Sequence, residues 1–290
     1  MPVSLQMMRR TDRLLATLGG LVVAAACASA ASPPSMIDAH AHYSAPAASA
    51  FSPAAILARL DAAGVRRLVV TSSPPQLAQH LYRHAPGRII PLLGVYASDL
   101  DKGRWVHDAG LPARIAAQLE HGSWAGIGEL HLFAGDARQP VFEQLVRLAA
   151  ARRLVLMLHG DAEVIERAFA IAPEVRVLWA HLGTRPQPGL LAAMLDRYPA
   201  TLWIDTSVRN ERIAPDGTLL PEWRALFERY PDRFVAAVDT FSVNRWQHYA
   251  AVVAQIRNWI EPLPQPLENG LLHDNAARLF DAFLASPARP

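Results

Sequence analysis

Apolar and polar positions along this chain follow two rhythms. Short, nearly continuous apolar runs read as buried strands at Met36–His42, Arg67–Thr71, Ile89–Val95, Ala125–His131, Leu154–His159, Val175–His181, Thr201–Thr206 and Phe234–Asp239. Longer amphipathic stretches between them predict helices near Pro53–Ala63, Pro75–His84, Leu111–Glu120, Gln139–Ala151, Ala162–Ala170, Gly189–Asp196, Pro221–Arg229 and Arg245–Trp259. Apolar strands alternating with helices imply a parallel sheet covered by helices. Eight repeats suggest closure, giving an α/β fold of the (β/α)8 TIM-barrel type. Pro262-Leu-Pro264 then marks a loop before an extra C-terminal helix around Asp274–Leu284, expected on the outside of the barrel.

The strand ends carry the chemistry. In Met36-Ile-Asp-Ala-His-Ala-His-Tyr43, His40 and His42 stand two residues apart, so an extended strand points both imidazoles to one face. Four later runs also end in metal-binding groups: Glu129 and His131 in Gly126-Ile-Gly-Glu-Leu-His131, then His159, His181 and Asp239. The C-terminal ends of strands are where such barrels assemble active sites. Met157, Trp179 and Ala237, two residues before the last three of these, are expected to fill the barrel interior.

Length and composition fit one catalytic domain: of 290 residues, 51% are hydrophobic, enough for one large core. The first thirty residues read differently. Arg9, Arg10 and Arg13 precede an uncharged run from Leu14 through Ala26 and then Ala28-Ser-Ala30, the layout of a secretory signal peptide with a small-x-small cleavage site. The apolar run is short for a stable membrane span. The expected layout is therefore a signal over residues 1–30, a mature domain over 31–290, and a periplasmic or secreted location.

Asp12 stands where a twin-arginine signal wants an apolar residue, which favours the general secretory route. Cys27 as a lipid anchor is a minor alternative, because Ala24 occupies the place of the usual aliphatic residue. Cleavage after Ala30 would remove this only cysteine, leaving nitrogen and oxygen as metal donors. It would also remove three Arg and one Asp, taking the formal net charge from +2 to 0, and nothing suggests a nucleic-acid partner.

With these strand-end residues the chain resembles the amidohydrolase superfamily, and especially its amidohydrolase-related branch of metal-dependent hydrolases, decarboxylases and lactonases. The resemblance covers about residues 36 to 284 and includes Asn275-Ala-Ala-Arg-Leu-Phe280, which is similar to a C-terminal helix of that family. It implies that His40, His42 and Asp239 bind a first metal, while His159 and His181 bind a second or position substrate and water. Many members bridge two metals with a carboxylated lysine from strand four. Here the only lysine is Lys102, in a loop region after strand three, and Glu129 holds the strand-four position, as in the deoxyribonuclease-like members. Ala237-Val-Asp-Thr-Phe241 departs from the branch's Gly-Ser/Thr-Asp pattern, leaving the substrate subgroup open.

The expected cofactor is one or two divalent ions, with zinc favoured and manganese, cobalt or iron compatible with the same donors. A bound divalent ion lowers the pKa of water to about 7 and polarises the bond under attack. Asp239 beside it could take the water's proton and pass it to the leaving group, with His181 also placed in the catalytic set. His131, Asp205 and Arg209 are candidates for substrate contact, Arg209 as a clamp for a carboxylate or phosphate. His131 could instead meet an outer metal, and Asp38 could orient one histidine of the first pair.

The reading that follows is a hydrolase acting on an amide, ester, lactone or phosphoester of a small molecule. Non-oxidative decarboxylation, with one metal and an arginine reading the carboxylate, is the enzymatic alternative. A non-catalytic exported metal-binding protein is a third reading. Oligomeric state stays open, since Trp246 and Trp259 would suit either a partner subunit or the chain's own barrel.

Overall fold

The computed structural model describes Met1 and residues 35–286. The chain divides into a unit Met1–Ser32 and a unit Pro33–Pro290, and everything below concerns the second. The expected signal and Cys27 lie outside the described residues. Among the described residues no helix is long and apolar enough to cross a membrane.

Eight parallel strands run in sequence order around a sheet: β1 (Met36–His42), β2 (Val65–Thr71), β3 (Ile89–Leu93), β4 (Gly126–His131), β5 (Val155–His159), β6 (Arg176–Trp179), β7 (Leu202–Asp205) and β8 (Phe234–Val235). Each strand pairs in parallel with the next. The extended chain beyond β8 closes the circle onto β1: Ala39 N donates to Ala236 O (3.2 Å) and Asp239 N to His40 O (2.7 Å). These bonds make a nearly closed barrel, as the alternating pattern predicts.

Crossover helices cover the outside: α1 (Pro53–Ala62), α2 (Gln76–His84), α3 (Leu111–Glu120), α4 (Pro140–Ala151), α5 (Ala162–Ile171), α6 (Pro188–Arg197), α7 (Pro221–Arg229) and α8 (Tyr249–Ile260). Their starts are written in the sequence. Proline stands in the first turn of α1, α3, α4, α6 and α7, where its missing N–H costs nothing. Ser52 and Asp161 accept from backbone amides three residues on, at 3.2 Å each. The helix predicted over Arg245–Trp259 is divided. A short helix, Val243–Gln247, precedes α8, and the chain turns at His248.

Two apolar layers follow from the strand alternation. One lies between sheet and helices; the other fills the barrel with Ile37, Val69, Ile90, Met157, Leu178 and Ala237, all nearly inaccessible. Burying each large side chain contributes roughly 1.5–3 kcal/mol. Met157 and Ala237 sit where the pattern puts them. Trp179 does not: it belongs to the outer layer, where its indole N–H donates to Gly160 O (2.9 Å). Alternation holds along β6, with Leu178 inward and Trp179 outward, and breaks just after it, where His181 adopts a left-handed conformation (φ 63°) that resets the facing of its side chain.

The extra C-terminal helix is present, but its placement differs from expectation. It runs through helical turns Gly270–Asp274, Asn275–Leu279 and Asp281–Leu284, and its Ala276, Leu279 and Phe280 belong to the interior cluster. Asn275 is fully buried and donates to Pro231 O (2.9 Å) and Phe234 O (2.8 Å), at the start of β8. The segment therefore closes the end of the barrel where the strands begin. Trp246 and Trp259 are buried against the chain's own barrel, so neither offers a partner-facing surface.

Candidate active site

At the opposite end, the last residues of six strands converge. Two strand irregularities aim them. The β1–β2 register shifts between Asp38 and Ala41, and the β4–β5 register shifts between Ile127 and Leu130, each a bulge that re-aims the following side chains. At β4 the irregularity needs glycine. Gly128 has φ +139°, and a Cβ there would lie 2.5 Å from Met157 O. Asp239 is likewise set by a left-handed backbone (φ 58°), as are Leu182 and Val208 in the loops beside it. Such conformations cost of order 1–3 kcal/mol each and concentrate at sites where the surrounding structure imposes them.

The centre is the Glu129 carboxylate, 3% exposed. Its Oε1 is 2.9 Å from His159 Nδ1 and 3.1 Å from His181 Nε2. Its Oε2 is 3.3 Å from His42 Nε2, 3.4 Å from His131 Nε2 and 3.6 Å from His40 Nε2. Asp239 faces the same space: Oδ1 lies 3.4 Å from His42 Nε2 and 3.8 Å from His40 Nε2, and Oδ2 3.9 Å from His181 Nε2. All six residues expected as metal ligands, with His131, are thus brought together.

Electrostatics follow from this crowding. Burial alone would push the His40 imidazole down, yet the Asp239, Glu129 and Asp205 carboxylates around it hold it well above its ordinary range. Burial likewise opposes charge on Glu129, but the His40 charge and hydrogen bonds from His159 and His181 hold it well below the usual carboxylate range. His131 goes the other way: burial lowers it to about 3.

Two substrate candidates have other work. Asp205 is completely buried. Its Oδ2 accepts from His40 Nδ1 (3.0 Å), and its Oδ1 accepts from the amides of His181 (3.0 Å) and Ser207 (2.9 Å) and from the Ser207 hydroxyl (2.5 Å). Burial would raise its carboxyl, but the His40 charge and hydrogen bond bring it down to about 2. Arg209 is directed to the backbone, donating to His181 O (2.9 Å) and Gly183 O (3.2 Å), so it ties the β6 loop to the β7 loop. Asp38 hydrogen-bonds the backbone amide of His40 and not its ring. It accepts from His40 N (3.2 Å), Val238 N (2.9 Å) and the Tyr249 hydroxyl (2.8 Å), pinning β1 to the strand beside it.

Several supporting residues carry no sequence motif. Thr240 Oγ1 accepts from His42 N (2.9 Å), Arg245 Nε donates to Asp239 O (2.7 Å), and Trp246 Nε1 donates to His42 O (2.9 Å). Ser207 Oγ lies 2.7 Å from His181 Nδ1, and Tyr96 holds His131. The only advance signal was position: Tyr96 and Ser207 stand just beyond predicted strand ends.

The donor set suits a divalent cation. Five imidazoles and two carboxylates surround one space, and Asp239 Oδ1 is buried there without a hydrogen-bond partner. The sequence of residues 37–282 matches the family model described as amidohydrolase. The chain belongs to the amidohydrolase family. It is accordingly an enzyme of the metal-dependent hydrolase kind. No curated protein matches the sequence.

Solved amidohydrolase structures share the fold at low identity. One from Burkholderia multivorans with bound Zn is 14% identical, with a TM-score of 0.55 over 85% of this chain and 99% of that one. A candidate 2-pyrone-4,6-dicarboxylic acid hydrolase from Acinetobacter baumannii with citric acid bound is 13% identical, with a TM-score of 0.58 over 85% and 99%. An amidohydrolase from Bifidobacterium longum subsp. infantis is 18% identical, with a TM-score of 0.54 over 85% and 98%.

Proposed function

We propose that this amidohydrolase cleaves an amide, ester, lactone or phosphoester of a small molecule with activated water. His40, His42 and Asp239 would hold a first cation; Glu129 would bridge to a second beside His159 and His181. Zinc suits these nitrogen and oxygen donors best, and the zinc bound to the Burkholderia multivorans amidohydrolase supports that choice. The observation that carries the reading is the buried Asp239 Oδ1, which has no hydrogen-bond partner and is aimed between His40 and His42.

A divalent cation bound there supplies a Lewis acid and a water of lowered pKa. The protein's own residues do the rest. Asp205 accepts from Nδ1 of His40, which turns the Nε2 lone pair into the site. Asp239 takes the water's proton through its carboxylate and returns it to the leaving group. His181 is positioned by Ser207 at Nδ1, so its Nε2 faces both Glu129 and Asp239 and can orient water or substrate.

Hydrolysis is favoured over decarboxylation by the placement of Arg209. A decarboxylase reading relies on an arginine to take the substrate carboxylate, and Arg209 turns its Nε and Nη2 to the His181 and Gly183 carbonyls. The test is metal content by elemental mass spectrometry alongside a panel of the four bond classes in 18O-labelled water. Label in the product, lost on chelation and restored by zinc, is the expected result. Carbon dioxide release without label would replace hydrolysis with decarboxylation. Export remains part of the proposal, and a mature N-terminus following Ala30, read by intact-mass measurement, is its check.

A further inference from the structure

The Glu-x-His pair of β4 faces the His-x-His pair of β1 across the site, and His131 has no part in the reaction as described above. Its ring is nevertheless held with care. The Tyr96 hydroxyl accepts from the His131 amide (2.7 Å) and lies 3.2 Å from its Nδ1, while Trp105 Nε1 donates to the His131 carbonyl (2.9 Å). His131 Nε2 points into the site, 3.4 Å from Glu129 Oε2, and with a cation on Nε2 the ring proton would sit on Nδ1, where the Tyr96 oxygen is placed to accept it. The ring stacks on His159 at 4.4 Å between centroids, with 27° between planes. One donor atom each from Glu129, His131 and His159 lies within 4.8 Å of the others, a three-ligand set separate from His40, His42 and Asp239.

We propose that His131 is a ligand of the second cation, completing with Glu129 and His159 a site in which β4 supplies two donors from one strand. Tyr96 is its positioning residue, fixing which nitrogen of His131 faces inward. The inference rests on the two-cation reading and changes the membership of the outer site. His181 then stands between Glu129 and Asp239, placed to hold water or substrate.

The experiment uses the full chain, stripped with chelator and titrated with cobalt(II), followed by calorimetry and by visible absorption. Wild type is expected to take up two equivalents. His131→Ala is expected to keep the first and to bind the second at least 100-fold more weakly, losing the absorption change of the second step. Tyr96→Phe keeps both ligand sets but removes the hydroxyl, and is expected to weaken only the second step, about tenfold. Matching circular dichroism and thermal unfolding of the stripped proteins guards against misfolding. A His131→Ala protein that binds two equivalents with unchanged affinity and spectrum overturns the proposal, as does a wild type that takes up only one. Two cobalt ions with the His131 dependence but no hydrolysis of any bond class would leave this site standing and sink the hydrolase reading.

Discussion

His40 Nδ1 and Asp205 Oδ2 lie 3.0 Å apart with neither atom accessible to solvent, and this contact decides which nitrogen of His40 faces the site. Asp205→Asn should therefore act on the cation and leave substrate contact alone. Loss of the charged acceptor is expected to weaken the first cation by 10–100-fold, the usual effect of removing a carboxylate behind a metal-binding imidazole. Chelator competition measures it. Unchanged cation affinity with a raised KM would return Asp205 to the substrate-binding role its strand-end position suggested.

That reassignment shows where the sequence is legible. Strand number, order and the C-terminal placement of donors follow from two simple periodicities, and His40 and His42 share a face for the same reason. What periodicity cannot carry is a break in itself. The β4 bulge and the left-handed residues His181 after β6 and Asp239 after β8 turn side chains by backbone conformation, so His181 enters the site although Trp179, two residues before it, faces out. Tyr96, Ser207 and Arg245 act through single hydrogen bonds across separate loops, which no local pattern encodes.

Gly128 is the residue on which the β4 geometry depends. An added methyl would meet Met157 O at 2.5 Å and Met157 Cβ at 2.8 Å, on a backbone at φ +139°. Gly128→Ala is expected to cost about 3 kcal/mol through strain and overpacking. Because Glu129 follows directly, cation binding should fall as well. Urea unfolding and a cobalt titration check both, and a wild-type midpoint would show that the bulge tolerates a side chain.

Asp38 predicts a pH dependence in the chelator-treated protein. Burial raises its carboxyl from 3.8 to about 7, although Val238, Tyr249 and His40 all donate to it. The folded state therefore holds a proton that the unfolded state has released between about pH 4 and 7. Its contribution to stability is fully present below the unfolded value and is lost as pH rises through 7, by at most roughly 4 kcal/mol. Unfolding free energies of wild type and Asp38→Asn, measured from pH 4 to 8, should diverge over this window, the variant showing the flatter profile. Parallel curves would mean that the three donors keep Asp38 ionised throughout.

Asp239 separates proton transfer from cation binding. In Asp239→Asn the side-chain oxygen can still face His40 and His42, but the amide cannot accept and return a proton. With substrate in hand, kcat is expected to fall 10²–10⁴-fold, the range for losing a positioned general base. Metal content should change little by comparison, since His40 and His42 remain and Asp205 still turns His40 inward. The alkaline shift of any residual activity is part of the same argument, because hydroxide replaces the missing base. If instead the variant loses cation and activity together and excess zinc restores both, Asp239 serves as ligand alone, and the proton must leave through another group facing Glu129, of which His181, 3.9 Å from Asp239 Oδ2, is the nearest in role.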